Sequence, residues 1–277
     1  MDFPIARQRF YQEIHQPDDQ INLARAALYL AQEAYPELDS EEYLNALDTM
    51  ASEVRERLPA SPYPLRIIQV LNQYLYEDLQ FRGNTEEYYD PDNSYLNQVI
   101  DRRLGIPITL SLVYLEVADR IQFPMVGVGM PGHFLIRPTI EDMQVFVDPF
   151  HQGEVLFSED CQNRLSEIFN RPIELRPEYL APVAPRQFLM RMLGNLKSIY
   201  LSRNEALKAL AAVERMLLLF PDAVFEQRDR GLLYYQIGRW SEASLDLETY
   251  LAQVPQAKDA VSIRGLLNQI QRDSSEY

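Results

Sequence analysis

A single cysteine, Cys161, stands among 277 residues. That scarcity excludes an internal disulfide and any cysteine-rich metal site. Histidine is nearly as rare, with only His15, His133 and His151. They lie far apart and show no HExxH or other paired spacing, so neither a metal nor a cofactor is expected. No apolar run reaches the roughly 20 residues that a membrane helix needs, so no membrane partner is expected. Met1 to Phe10 carries Asp2 and Pro4 and has no apolar centre, unlike a secretion signal. A cytoplasmic location is the expectation. Basic residues are also short: 26 Lys and Arg face 41 Asp and Glu, a net charge of −15. Such a surface repels phosphate backbones. Arg102-Arg103 is a pair and not a patch, so nucleic acid is not an expected partner. The apolar fraction of 47% is ample for a packed core.

Residues 1–80 read as helices. Ile21, Ala24, Leu28 and Ala31 recur at three- and four-residue steps. Asp39-Ser40-Glu41-Glu42 opens a second helix, with Ser40 as the expected cap and acids suited to the helix dipole. Pro59, Pro62 and Pro64 end it, and Leu65 to Leu79 is a third. Residues 83–93 are polar and read as a loop. Ile108 to Ile121 is apolar on nearly every face, which marks a buried central helix with Pro107 in its first turn. Short β-type runs follow at 125–129, 134–138 and 145–147, joined near Glu141-Asp142 by a turn. The expected fold class is α+β: one domain over 1–180, with a helical part (1–80) and a core (81–160).

From residue 186 to 277 the chain turns helical and repeats itself. At an offset of 34 residues, Tyr200 matches Tyr234, Ala209 matches Ala243, Glu214 matches Glu248, Leu217 matches Leu251 and Pro221 matches Pro255. Gly231, Trp240 and Ala257 to Gln271 complete the pattern of two tetratricopeptide repeats and a last helix. Residues 171–185, with four prolines, read as the linker. Two repeats bury little core alone, so they are expected to dock on the first domain.

The chemistry concentrates in the middle. A turn at Gly105-Ile106-Pro107 enters the apolar helix, then comes Pro131-Gly132-His133-Phe134-Leu135, then Val147-Asp148-Pro149-Phe150. A helix start, a histidine on one strand and an aspartate on the next is the order of a papain-like thiol triad. The thiolate forms at the helix N-terminus, the histidine takes its proton, and the carboxylate orients the histidine. Here the thiol is missing. Its place falls near Pro107, and Cys161 comes after the aspartate. Cys161 follows Ser158-Glu159-Asp160, a helix start that can lower a thiol pKa, although a lone cysteine is more often simply buried. Thr109 and Ser111 lie within a turn of the vacant place as weak nucleophile candidates. The bland reading of His133 and Asp148 is a structural hydrogen bond between strands. His151 reads as part of an exposed turn.

These segments, with Phe81-Arg82-Gly83-Asn84, Asn93-Ser94-Tyr95-Leu96, Arg103-Leu104-Gly105, Arg191-Met192-Leu193-Gly194-Asn195 and Arg228-Asp229-Arg230-Gly231, resemble the SirB-type transglutaminase-like family. The resemblance covers most of the chain. It implies a transglutaminase-like fold followed by tetratricopeptide repeats, without implying transglutaminase activity. It also makes Asn84, Asn93, Arg103, Pro107, His133 and Asp148 candidates for lining a cleft. The two asparagines otherwise brace a turn, and one arginine pairs with the four acids of Glu86 to Asp92. Tyr88-Tyr89 is either a contact surface or a cover over the core. The leading expectation is a non-enzymatic interaction protein that takes a protein or peptide partner through the cleft and the repeats. The alternative is a hydrolase or acyl-transferase using Thr109 or Ser111 with His133 and Asp148.

Overall fold

The computed structural model describes residues 4–140 and 143–275. The chain forms two compact units, residues 1–192 and 193–277. The first begins with helices α1 (Ile5–Ile14), α2 (Leu23–Ala31), α3 (Ser40–Arg57) and α4 (Pro64–Asn72). Asn22 caps α2, its Oδ1 accepting from the Arg25 N–H at 2.8 Å. Asp39, not Ser40, caps α3: its Oδ1 accepts from the Glu41 N–H at 3.0 Å, and Ser40 is the buried first helical residue. The expected third helix is not uniform. At Gln73 α4 passes into a wider π-turn, Gln73–Asp78, which buries Tyr74, Leu75 and Tyr76 in succession.

Two short parallel pieces, β1 (Arg82–Gly83) and β2 (Leu104–Gly105), flank α5 (Leu96–Arg102). Then comes the central helix α6 (Pro107–Arg120). Its Leu110, Leu112, Val113, Tyr114 and Val117 are buried against α2, α3, α5 and the strands that follow. Glu116 is held in this interior. It accepts the Ala24 N–H at the start of α2 at 3.1 Å and pairs with Arg120. Burial pushes its carboxyl up despite that partner.

One antiparallel sheet of order β3-β4-β5-β6 covers α6: β3 (Met125–Val128), β4 (Leu135–Pro138), β5 (Phe146–Asp148) and β6 (Glu154–Leu156). The first three match the expected runs. The fourth is three residues long, too short to show an alternation. The turn expected at Glu141-Asp142 lies outside the described residues. Helix α7 (Ser158–Ile168) closes one face through Cys161 and Leu165. The proline-rich segment expected as a linker belongs instead to this unit. Ile173, Leu175, Tyr179 and Leu180 pack on the same cluster. The Val183 N–H donates to Gly127 O at 2.9 Å, and Val128 bridges Pro182. Its prolines break helix, but its backbone at Pro182 and Val183 pairs with the open edge of β3 while its apolar side chains pack on the core.

The division between the units falls inside α8 (Pro185–Ser202). The second unit continues as α9 (Ala206–Leu219), α10 (Val224–Gln236), α11 (Trp240–Gln253) and α12 (Ala260–Ser275). The matched positions Tyr200 and Tyr234, Ala209 and Ala243 are buried, as repeat packing requires. Asp246 is buried on α11 and is held by Arg230 through Nε at 2.6 Å and Nη2 at 2.7 Å. No helix among the described residues is long and apolar enough to cross a membrane.

Gly231 sets the approach of α10 to α11. A Cβ there would stand 2.8 Å from Leu247 Cγ and 3.1 Å from Asp246 Cβ. Gly231→Val is therefore expected to destabilise the second unit by about 1–3 kcal/mol, the cost of overpacking. A Cβ on Gly265 in α12 meets nothing within 4 Å. Gly265→Ala is expected to stabilise by about 0.5–1 kcal/mol. Denaturant unfolding of the two variants should shift in opposite directions.

Candidate functional site

The site is built around the end of β5. Asp148 is fully buried and opens a 3₁₀ turn, Pro149–His151. Its Oδ1 accepts the N–H groups of Phe150 at 3.1 Å and His151 at 3.3 Å. That leaves Oδ2 to side chains. His133 Nε2 lies 2.7 Å away, His151 Nδ1 2.8 Å and Arg164 Nη1 3.0 Å. Burial alone would push the Asp148 carboxyl up. The hydrogen bonds from His133 and His151, with the attraction of both rings, outweigh it and hold the group well below the usual carboxylate range.

The hydrogen bond expected between His133 and Asp148 is thus present. His133 itself is not on a strand but in the turn before β4, with its N–H bonded to Met130 O at 3.0 Å. Gly132 makes this turn possible with φ of 74°. Arg191, from α8, clamps the turn. Its Nη2 donates to Met130 O at 3.0 Å and to His133 O, and its guanidinium lies 5.2 Å from the Phe134 ring centre. Gly129 leaves the space, since a Cβ there would stand 3.2 Å from Arg191 Nη1.

An aromatic wall adjoins the histidine. Phe150 meets the His133 ring edge-on at 6.2 Å and Tyr88 at 6.0 Å, and Tyr88 meets the exposed Tyr89 at 5.3 Å. Gly83 admits Phe150: a Cβ at 83 would fall 2.6 Å from its ring. Tyr76 lies deeper. Burial, with smaller contributions from Tyr114 and Asp148, pushes its phenol well above the usual range.

The other candidates from the sequence are turned inward. The Thr109 hydroxyl donates to Asn93 O at 2.7 Å, and the Ser111 hydroxyl donates to Pro107 O at 2.7 Å. Both residues are fully buried, as is Asn93, and Pro107 is buried with them. Asn84 Nδ2 donates to Asn93 Oδ1 at 3.0 Å, and Asn93 Nδ2 to Glu87 O at 2.7 Å. The asparagines brace the loop of residues 84–93. Arg102 pairs with Asp90 at 2.7 Å, while Arg103 stacks 4.7 Å from the Phe81 ring centre. A groove of about 620 Å³ lies elsewhere on this unit, between α4 and β6. Tyr63, Leu65, Gln69, Gln73, Val155 and Phe157 line it, and none of the six cleft candidates does. Asn72 joins groove to site, its Nδ2 donating to Gly153 O at 2.7 Å.

His151, Arg164 and Arg191 were not singled out as site residues by the sequence. His151 was legible in retrospect, three residues beyond Asp148 in a turn that points it back. Arg164 is one helical turn beyond Cys161 and carries no motif. Arg191 lies in the Arg191-Met192-Leu193-Gly194-Asn195 motif, whose pattern alone gives it no role.

A profile of the transglutaminase-like superfamily matches residues 41–194. The chain belongs to the transglutaminase-like superfamily. A tetratricopeptide-repeat profile matches residues 196–268. A UPF0162 protein of Xylella fastidiosa (strain 9a5c) is 37% identical over 90% of each chain. A UPF0162 protein of Pseudomonas aeruginosa is 30% identical over 83% of each. F-box only protein 21 of Mus musculus is 31% identical over 66% of this chain and 30% of that one. These relatives fit the SirB-type resemblance of the motifs. No solved structure matches.

Cys161 is simply buried, as a lone cysteine more often is, in spite of its helix-start context. It is buried under the sheet, and burial, with Asp160 and Asp148 adding to it, pushes its thiol up to about 11. Its thiolate fraction at pH 8 is then about two hundredfold below that of an ordinary thiol of pKa about 8.5. Alkylation of the folded protein at pH 8 is expected to be slower than that of the unfolded chain by at least this factor. Removing Arg191 takes the donor from His133 O, while Met130 O keeps the His133 N–H. Arg191→Met is expected to cost about 1–3 kcal/mol in denaturant unfolding, the penalty for one unsatisfied buried acceptor.

Proposed function

We propose that this chain is a non-enzymatic protein-interaction protein with a degenerate transglutaminase-like site and a repeat unit for partner binding. One observation carries this reading. Neither hydroxyl at the start of α6 is available as a nucleophile, since Thr109 and Ser111 are buried and give their protons to backbone carbonyls. A hydroxyl becomes a useful nucleophile only when a base takes that proton. The buried Cys161 thiol, pushed up to about 11, does not replace them. The histidine and aspartate then serve as a tie between turns and not as a relay.

The partner surfaces in this reading are two. The groove between α4 and β6 exposes Tyr63, Leu65, Val155 and Phe157 around the amides of Gln69 and Gln73. Apolar walls with convergent amides suit a peptide segment. The repeats add a second surface, since stacked helix pairs bind extended partners. We place the chain in the cytoplasm, where a lone cysteine stays reduced.

The test is an assay of the purified full chain on ester, peptide and glutamine-amide substrates, beside His133→Ala. No turnover, or the same trace in both proteins, is expected. Turnover in the parent that disappears in His133→Ala would overturn the reading and restore a hydrolase or acyl-transferase using Thr109 or Ser111.

A further inference from the structure

The three atoms around Asp148 Oδ2 present a conflict that hydrogen bonding cannot resolve. His151 Nδ1 lies 2.8 Å from Asp148 Oδ2 and 2.7 Å from Arg164 Nη1, and Arg164 Nη1 lies 3.0 Å from the same oxygen. If Nδ1 carries a proton, it donates to the carboxylate but faces a guanidinium N–H, donor against donor. If Nδ1 is bare, it accepts from Arg164 but turns its lone pair on an anion. One ring nitrogen is a donor or an acceptor, never both. A cation without protons removes the conflict, because a bare imidazole nitrogen and a carboxylate oxygen can both be its ligands.

We propose that His133, Asp148 and His151 form a binding site for a divalent transition-metal ion of the zinc class, which takes the place of the Arg164 guanidinium. One ligand atom from each lies within 4.8 Å of the others, close to the spacing around a single ion. Two imidazoles and a carboxylate are a donor set for borderline metals and not for magnesium or calcium. The surroundings are arranged as a metal site needs. The Phe150 and His151 N–H groups hold Asp148 Oδ1, which turns Oδ2 toward the imidazoles. Arg191 fixes the turn that carries His133. His133 and Asp148 are buried, while His151 is 46% exposed along its side chain and supplies access. Arg164 has other partners to move to: Glu154 Oε2 already lies 2.7 Å from its Nη2, and Glu167 3.9 Å from its Nε. Three protein ligands leave a fourth tetrahedral position for water or a donor atom of a bound partner. The proposal goes beyond the interaction reading and does not depend on it.

The experiment titrates the chelator-treated, tag-free full chain with Zn²⁺ against a competing indicator, and with Co²⁺ by absorption. One equivalent of Zn²⁺ is expected, with the visible bands of four-coordinate Co²⁺. His151→Ala, at an exposed position and with its folding checked by circular dichroism, is expected to weaken binding at least 10- to 100-fold. His15→Ala, the other exposed imidazole, should leave it unchanged. Arg164→Gln should tighten it, because the competing cation is gone. No binding in the parent chain, full binding in His151→Ala, or weaker or unchanged binding in Arg164→Gln would each overturn the proposal.

Discussion

A charge with no water around it must be matched on every side, and the buried Asp148 carboxylate is that constraint here. Its partners come from three places in the chain: the turn before β4, the 3₁₀ turn that follows β5, and α7. An unpartnered buried carboxylate would be costly enough to prevent folding in this form. The carboxylate therefore fixes where these pieces meet. The glycines and arginines around it follow from that demand. Gly132 permits the turn that carries His133, Gly83 gives room for Phe150, and Arg191 holds the two carbonyls of the histidine turn. His133 meets this carboxylate through Nε2 at 2.7 Å.

The start of α6 is closed by its own local bonding. Proline suits the first turn of α6 because its missing N–H is not needed there. The hydroxyls that follow turn back onto carbonyls of the local backbone, Asn93 O and Pro107 O. Thr109 also accepts the Ile106 N–H at 3.2 Å, so it closes the helix entrance from both sides. Ser111 bonds back within α6, while Thr109 holds the helix start to the loop of residues 84–93. That loop is braced in turn by Asn84 and Asn93.

Local signals were legible in the sequence, and long-range ones were not. The apolar stretch of α6, the 34-residue offset of the repeats and three of the four sheet strands follow from periodicity within a few residues. The His133–Asp148 bond was legible because a motif order set both residues at once. The role of residues 171–185 was not, since prolines mark the absence of helix and say nothing of what the apolar residues between them cover. Ser40 and Asp39 are both good caps, and only the geometry chooses between them. Arg164 and Arg191 reach the site from α7 and α8 through tertiary packing, which leaves no spacing rule behind. Cys161 shows the same limit. Its helix-start context favours a low thiol pKa, and burial among Val128, Leu135 and Leu165 reverses it.

The central claim is that Asp148 holds His133 through its Nε2. Only three histidines contribute to the imidazole region of an NMR spectrum, so the claim can be read directly. Long-range proton–nitrogen correlation on the chelator-treated protein reports which ring nitrogen carries the proton. The account expects His133 as the Nε2–H form, with a downfield, slowly exchanging ring proton that disappears in Asp148→Asn. A His133 protonated only on Nδ1, or a ring proton exchanging freely with water, would contradict it.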